Sequence, residues 1–328
     1  MKQTGIEYVD STWNPVRGCK WKSDGCTNCW AERIAGRYAK KPGDTYFSVA
    51  RLNRAGEPKW NGEVDWVIEK FWDPLDWLEK ETRRIMVCSM SDLFYPKISH
   101  IRRDQIFGLM ALCGEHTFLV QTKYAAEMRQ YFAEPGVWKR IDKCARQLYK
   151  EHWKKEHPSK RHLQGPLGNT WLGVSIENQE TADERIPILE DIPAALRYVD
   201  AQPLLGLVTL DKYLGNDKLH WVIAGGESGM QGRPCNPMWI RQLKHECNEY
   251  RVAFYMHLWG AWMPVTSDQL KEHSAGEDNL FIWPNGEMSV NLHRSDMVSM
   301  KKKMEEYGAV LDGEVWKQFP EFEKPTVF

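Results

Sequence analysis

The sequence predicts an α/β protein: a full or partial parallel (β/α) barrel with a small C-terminal α+β appendage. Three observations predict it. Seven short apolar runs recur between residues 5 and 256, each ending in polar residues. Stretches of helical periodicity separate most of them, and strands that alternate with helices build parallel sheets buried on both faces. Beyond Trp262 the rhythm stops. Right-handed crossovers curl such a sheet and place its site at the carboxyl ends of the strands.

The elements follow in order. Residues 5–9 form the first expected strand and lead into a cysteine-bearing loop. Residues 43–66 break the pattern and read as an inserted hairpin or loop. The second strand, 84–90, ends at Ser91-Asp92, and a helix over 101–113 follows. The third, 117–120, ends in Gln121-Thr122-Lys123 before a helix over 124–132. Residues 136–168 are basic, carry His152, His157 and His162, and interrupt the link to the fourth strand, 171–174. That strand ends in Ser175-Ile176-Glu177-Asn178, with a helix over 179–190. The fifth, 196–199, ends in Asp200-Ala201-Gln202-Pro203. The sixth, 221–224, ends in Gly225-Gly226-Glu227-Ser228, with a helix over 236–250. The seventh, 253–256, ends in His257-Leu258-Trp259-Gly260. This assigns residues 1–262 to the barrel and 263–328 to the appendage. The appendage is expected to hold a strand over 280–283, a turn at 284–286 and a helix over 295–307.

Composition narrows the function classes. The formal net charge is −1 over 328 residues, so no global field draws the chain to nucleic acid or membrane. No apolar run reaches the roughly 18 residues of a membrane span, and Met1-Lys2-Gln3-Thr4-Gly5 lacks the apolar core of a secretory signal. A cytoplasmic protein is expected. Eight cysteines are too sparse for a disulfide scaffold and read as free thiols or metal ligands. Sixteen tryptophans exceed ordinary usage. Trp60, Trp66, Trp259 and Trp262 are candidates for stacking on bases.

Cys19, Cys26 and Cys29 carry the most chemistry. Six residues separate the first pair and two the second, on one glycine-flanked loop. Three thiolates can hold three corners of a [4Fe–4S] cluster and leave the fourth iron open to a small molecule. Zinc with a fourth ligand from elsewhere and a purely structural role are the alternatives.

The surrounding residues narrow this. Thr12-Trp13-Asn14-Pro15, Gly18-Cys19, Ser23, Gly25-Cys26 and Cys29-Trp30-Ala31 match in order. So do Ser89-Met90-Ser91-Asp92-Leu93-Phe94, Gln121-Thr122-Lys123, Gly173-Val174-Ser175-Ile176-Glu177-Asn178-Gln179, Pro203-Leu204-Leu205-Gly206 and Gly225-Gly226-Glu227-Ser228-Gly229. Through these the chain resembles the phage-type three-cysteine-motif family, itself similar to a divergent branch of the radical S-adenosylmethionine superfamily. It differs at two strand ends. Ala201-Gln202 stands where the family has Ser-Glu, and His257-Leu258 where it has Lys-Gln.

The resemblance implies a radical-SAM-type barrel and a radical S-adenosylmethionine enzyme. Cys19, Cys26 and Cys29 would ligate a [4Fe–4S] cluster, and S-adenosyl-L-methionine would chelate the open iron and yield a 5′-deoxyadenosyl radical. Ser89, Ser91 and Asp92 would meet its methionine end. Gln121, Ser175, Glu177, Asn178 and Gln202 would meet polar groups such as the ribose hydroxyls. Gly225 and Gly226 would let backbone approach the cofactor, with Glu227 and Ser228 adding polar contacts. Lys123 and His257 are catalytic candidates toward the substrate, and Cys88 is a candidate hydrogen-atom donor. The expected substrate is a nucleobase or nucleotide, through DNA base modification, rearrangement or repair. The basic 139–161 segment is its candidate phosphate contact, and a reducing electron donor is the implied partner. The alternative is a non-catalytic zinc- or cluster-stabilised protein that binds nucleic acid or serves as a scaffold.

Overall fold

A computed structural model of the chain describes residues 4–78, 80–215, 218–229, 231–265, 280–282, 288–290, 298–301 and 309–322. Seven strands form its main sheet: β1 (Ser11–Trp13), β2 (Arg84–Val87), β3 (Thr117–Thr122), β4 (Thr170–Ser175), β5 (Leu196–Ala201), β6 (Trp221–Ala224) and β7 (Ala253–Met256). They neighbour one another in that order. The pairings β1–β2, β2–β3, β3–β4 and β6–β7 run parallel. A doubly wound sheet reverses its order at a switch point. This one does not, and it is open between β1 and β7, which is the order of a partial (β/α) barrel.

The first strand lies later than expected, at Ser11–Trp13 instead of 5–9. Tyr8 and Val9 are buried but precede the ladder. Asp10 starts it by accepting the Arg84 N–H (2.8 Å) and donating its own N–H to the Arg84 carbonyl (2.8 Å). Trp13 then enters the core between Phe71 and Phe118, with ring centroids 6.3 and 5.9 Å away.

The longer helices are α1 (Trp30–Arg37), α2 (His100–Leu112), α3 (Ala125–Ala133), α4 (Val137–Trp153), α5 (Gln179–Glu190) and α6 (Pro237–Glu249). Ser99 caps α2 by accepting the Arg102 N–H, and Asn236 caps α6 by accepting the Met238 N–H. The basic 136–168 stretch contains α4, a second helix in the β3-to-β4 crossover. Its apolar positions (Val137, Ile141, Ala145, Leu148) recur at helical spacing and are buried. Arg140 ties it to Asp104 of α2 (3.0 Å).

Two compact units make up the chain. One comprises residues 1–175, 185–198 and 321–328; the other comprises 176–184 and 199–320. In the first, residues 43–66 hold an antiparallel pair, Ala50–Leu52 with Pro58–Trp60, and Asp65–Trp66 pairs with Val16–Arg17. In the second, the 316–318 segment lies antiparallel along β7. Met256 donates to the Trp316 carbonyl (2.7 Å) and Gln318 to the Phe254 carbonyl (3.0 Å). Trp262–Val265, Leu280–Ile282, Met288–Val290 and Val298–Lys301 form an antiparallel sheet. Val298–Lys301 is a strand inside the stretch expected to be helical. Its pairing with Trp262–Val265 overrides a helix propensity that is only a weak prior. The rest of 295–307, and the 284–286 turn, lie outside the described residues. Among the described residues, no helix is long and apolar enough to cross a membrane.

Candidate functional site

The cysteine loop leaves the carboxyl end of β1 and is anchored to the carboxyl end of β2. Asn14 Oδ1 accepts the Met90 N–H (2.9 Å), and Asn14 Nδ2 donates to Ser89 Oγ (3.2 Å). Gly18 donates its N–H to the Met90 carbonyl (3.0 Å), and Ser91 Oγ donates to the Gly18 carbonyl (2.7 Å). Gly18 has φ +95°, and a Cβ there would overlap the Glu63 carbonyl oxygen and the Val49 side chain. Only glycine suits that position. A short 3-10 turn, Asp24–Cys26, follows, and α1 begins directly after Cys29.

Cys19, Cys26 and Cys29 are free and half-buried. Burial pushes the Cys19 thiol well above its ordinary pKa, with Asp92 next in effect and Cys29 and Cys26 adding to it. Burial also pushes the Cys29 thiol up, and Cys26 adds to the shift. The three sulfurs thus lie within electrostatic range of one another. Among the described residues, no three or more His, Cys, Asp or Glu side chains are gathered into a finished metal-ligating group. The donor chemistry fits an iron–sulfur cluster: three thiols on one loop, where thiolates would repel each other unless a cation stands between them.

Sequence reasoning missed the surroundings of this loop. Tyr95 and Tyr124 pack near it with tilted rings (centroids 5.6 Å apart), and Tyr95 Oη donates to the Gly62 carbonyl (2.9 Å). Burial keeps the Tyr124 phenol protonated, and proximity to Cys19 adds to this. Glu32 of α1 accepts from the Trp60 N–H (2.7 Å) and Lys59 Nζ (3.1 Å), clamping the hairpin onto the helix. Asn14, by contrast, stood in the sequence as part of the Thr12-Trp13-Asn14-Pro15 motif.

The remaining first-unit residues divide by partner. Ser89 and Ser91 anchor the loop, as described. Asp92 is buried and accepts from Thr122 Oγ1 (2.6 Å), the Lys123 N–H (2.9 Å) and the Phe94 N–H (3.0 Å). Burial nonetheless raises its pKa, against the effect of those bonds and of the nearby Lys123 ammonium. Cys88 is buried at φ +58°, and burial raises its thiol far enough to keep it protonated. Gln121 Nε2 donates to Ser175 Oγ (2.7 Å), while Gln121 Oε1 is buried with no hydrogen-bond partner among the described residues.

In the second unit, Gln202 and His257 meet. His257 Nδ1–H donates to Gln202 Oε1 (2.7 Å), which brings together the two strand ends where the sequence departs from the resemblance. Glu177 is buried, and Asn178 Oδ1 accepts the Thr181 N–H (3.0 Å) as a cap of α5. Glu227 is buried in a bidentate pair with Arg233, with Nη2 at 2.6 Å and Nε at 2.9 Å, and Ser228 follows it, half-buried. The close approach at Gly225 and Gly226 is made by the chain itself: the Leu258 carbonyl, Gln202 and the Trp259 carbonyl occupy the space a Cβ would need. The tryptophans named as stacking candidates are mostly structural. Trp60 packs on Tyr46 and Trp66 lies under Arg102. Trp259 is buried, and Trp262 Nε1 donates to the Gly232 carbonyl (2.7 Å).

Comparison with known proteins adds three findings. No curated protein matches the sequence. A solved structure of a spore photoproduct lyase point mutant is similar at a TM-score of 0.37 and 9% identity, over 89% of this chain and 68% of that one. A family model described as "Protein of unknown function (DUF5131)" matches residues 3–320. With nearly its whole length under that model, the chain belongs to the DUF5131 family.

Proposed function

We propose that the protein is a radical S-adenosylmethionine enzyme acting on a nucleobase or nucleotide. The observation that supports it is the cysteine loop. Three half-buried free thiols lie at the carboxyl end of β1, held there from the carboxyl end of β2. That is the end of a (β/α) sheet at which sites form. A [4Fe–4S] cluster bound by Cys19, Cys26 and Cys29 would supply one-electron reductive cleavage of S-adenosylmethionine.

The chain's own residues have distinct tasks. Asn14, Ser89 and Ser91 hold the loop at the strand ends. Asp92 organises the turn after β3 through Thr122, Lys123 and Phe94. Gln121 Oε1 is a buried acceptor in this unit with capacity for a cofactor hydroxyl or amine. Lys123 offers a cation beside Asp92 for a substrate anion. Cys88 keeps its S–H and can give a hydrogen atom. In the second unit, Gln202, His257 and Ser228 are proposed as ligand contacts, and the buried Glu177 and Glu227 with the half-buried Asn178 as their supports.

Anaerobic purification followed by iron and sulfide analysis tests this. About four irons per chain, lost in Cys26→Ala, with 5′-deoxyadenosine formed after reduction in the presence of S-adenosylmethionine, is the expected result. Zinc in place of iron, or a cluster that survives Cys26→Ala, overturns it.

A further inference from the structure

Three of the nine cations in the candidate phosphate contact over 139–161 are held in ion pairs within its own unit. Arg140 pairs with Asp104 and Glu134 (3.0 and 2.9 Å), Arg146 with Asp142 (3.0 Å) and Lys150 with Glu156 (2.5 Å). A second basic stretch, residues 20–54, takes in most of the cysteine loop, α1 and the start of the hairpin, and differs in its exposed aromatic rings. This stretch has eight Lys and Arg against three Asp and Glu, a balance of +5 in a chain whose total is −1. Of the three acids, Glu32 is buried against Lys59 and Trp60, and Asp44 accepts the Lys40 and Lys41 backbone N–H groups. Lys20, Arg37, Lys40, Lys41, Arg51 and Arg54 are exposed, and no carboxylate pairs with any of them among the described residues.

Aromatic rings are concentrated on the same stretch. Trp21, Trp30, Tyr38 and Phe47 are 56%, 39%, 58% and 43% exposed, and only two other aromatics, Trp153 and Tyr250, stand out as exposed among the described residues. Helix geometry explains the arrangement. Ala31 and Ala35 bury one side of α1 in a cluster with Ala39, Ala50 and Met90. Trp30, Arg33 and Arg37, at i, i+3 and i+7, share the opposite side. The Tyr46 N–H donates to the Tyr38 carbonyl (3.0 Å), which ties the aromatic loop to the end of the helix. Exposed rings between unpaired cations suit a partner with flat π faces on an anionic backbone: the rings take bases by stacking and the cations take phosphates. An acidic protein surface would use the cations but leave large rings exposed for no gain.

We propose that the exposed face of residues 20–54 binds single-stranded nucleic acid and delivers it to the cysteine loop that this face adjoins. The inference rests on the nucleotide reading above and names the part of the chain that would recognise the substrate as a polymer.

Fluorescence anisotropy with a labelled single-stranded DNA of about 20 nucleotides tests it, on the full chain with and without its metal. Trp30→Ala should weaken binding roughly tenfold. Lys40→Ala with Lys41→Ala should make the slope of log affinity against log salt shallower by about 1.4. Lys154→Ala with Lys155→Ala should change neither. These side chains are exposed, so an unchanged circular dichroism melt separates lost binding from lost folding. No binding at low salt overturns the inference, as does binding sensitive only to the Lys154/Lys155 pair. So does a face that retains an acidic electron-carrier protein through Arg37 but no DNA. Metal content separates the two proposals: a cluster present without DNA binding overturns this one alone, and DNA binding without a cluster overturns the radical reading alone.

Discussion

Asn14, Ser89 and Ser91 show how much of a reactive loop's geometry rests on small polar side chains. Each makes its bond between two strand ends, so the loop inherits the rigidity of the β1–β2 ladder. Asp142, in the second turn of α4, does the same for the segment that follows that helix. It accepts from Arg146 Nε (3.0 Å), His162 Nδ1 (2.6 Å) and the Leu163 N–H (3.2 Å), fastening residues 159–163 to the helix. Burial alone would raise its pKa, but the Arg146, His162 and Leu163 bonds outweigh this and hold it below the usual carboxylate range. A depressed folded-state pKa contributes stability that is full above the unfolded value near pH 4 and is lost as pH falls through the folded value. Urea unfolding of Asp142→Asn should therefore show a deficit of about 2 kcal/mol at pH 7 that shrinks below pH 4. A deficit that stays constant with pH would mean that packing, not charge, holds the segment.

Among the elements, α1 and its hairpin have the least core of their own. Alanines line the buried side of α1, and small side chains bury little apolar area. Glu32 therefore matters more than a surface carboxylate would, since its bonds to the Trp60 N–H and Lys59 Nζ close the helix against the hairpin. Glu32→Ala leaves the Trp60 N–H unsatisfied and should cost about 2 kcal/mol. Limited proteolysis should show faster cleavage between residues 50 and 60 in that variant. An unchanged cleavage pattern would show that the apolar contacts alone hold the hairpin.

At the scale of the whole molecule, an open strand order leaves two sheet edges to protect. The 316–318 segment covers the β7 edge by pairing with residues 254–256, reinforced by the bond from Trp221 Nε1 to the Gln318 carbonyl (2.9 Å). Removing residues 316–328 should uncover that edge and drive association, visible as concentration-dependent light scattering. A truncated chain that stays monomeric would mean the edge is protected some other way. The net charge of −1 predicts no long-range attraction to polyanions, so any nucleic-acid binding must come from a local basic stretch, such as the +5 of residues 20–54 or the +6 of 139–161.

Much of the architecture is legible without coordinates. Six of the seven strands fall where short apolar runs end in polar residues, because a strand buried on both faces must be apolar along its length. Helix α5 follows the expected 179–190 and α6 lies within 236–250, each started by a polar cap that the sequence displays. The spacing of Cys19, Cys26 and Cys29, and the free state expected of sparse cysteines, are likewise local facts of sequence. Tertiary structure alone decided the rest. It moved β1 to Ser11–Trp13, because register is set by the neighbouring strand and not by the most apolar run. It turned Val298–Lys301 into a strand by pairing it with Trp262–Val265. It joined Gln202 to His257 and enclosed Glu227 with Arg233. And it drew Arg140, Arg146 and Lys150 into ion pairs and set exposed rings beside the cations of 20–54. A sequence shows which side chains carry charge and apolar area. Whether a charge has a partner depends on contacts between residues far apart in the chain, and only the folded structure brings those residues together.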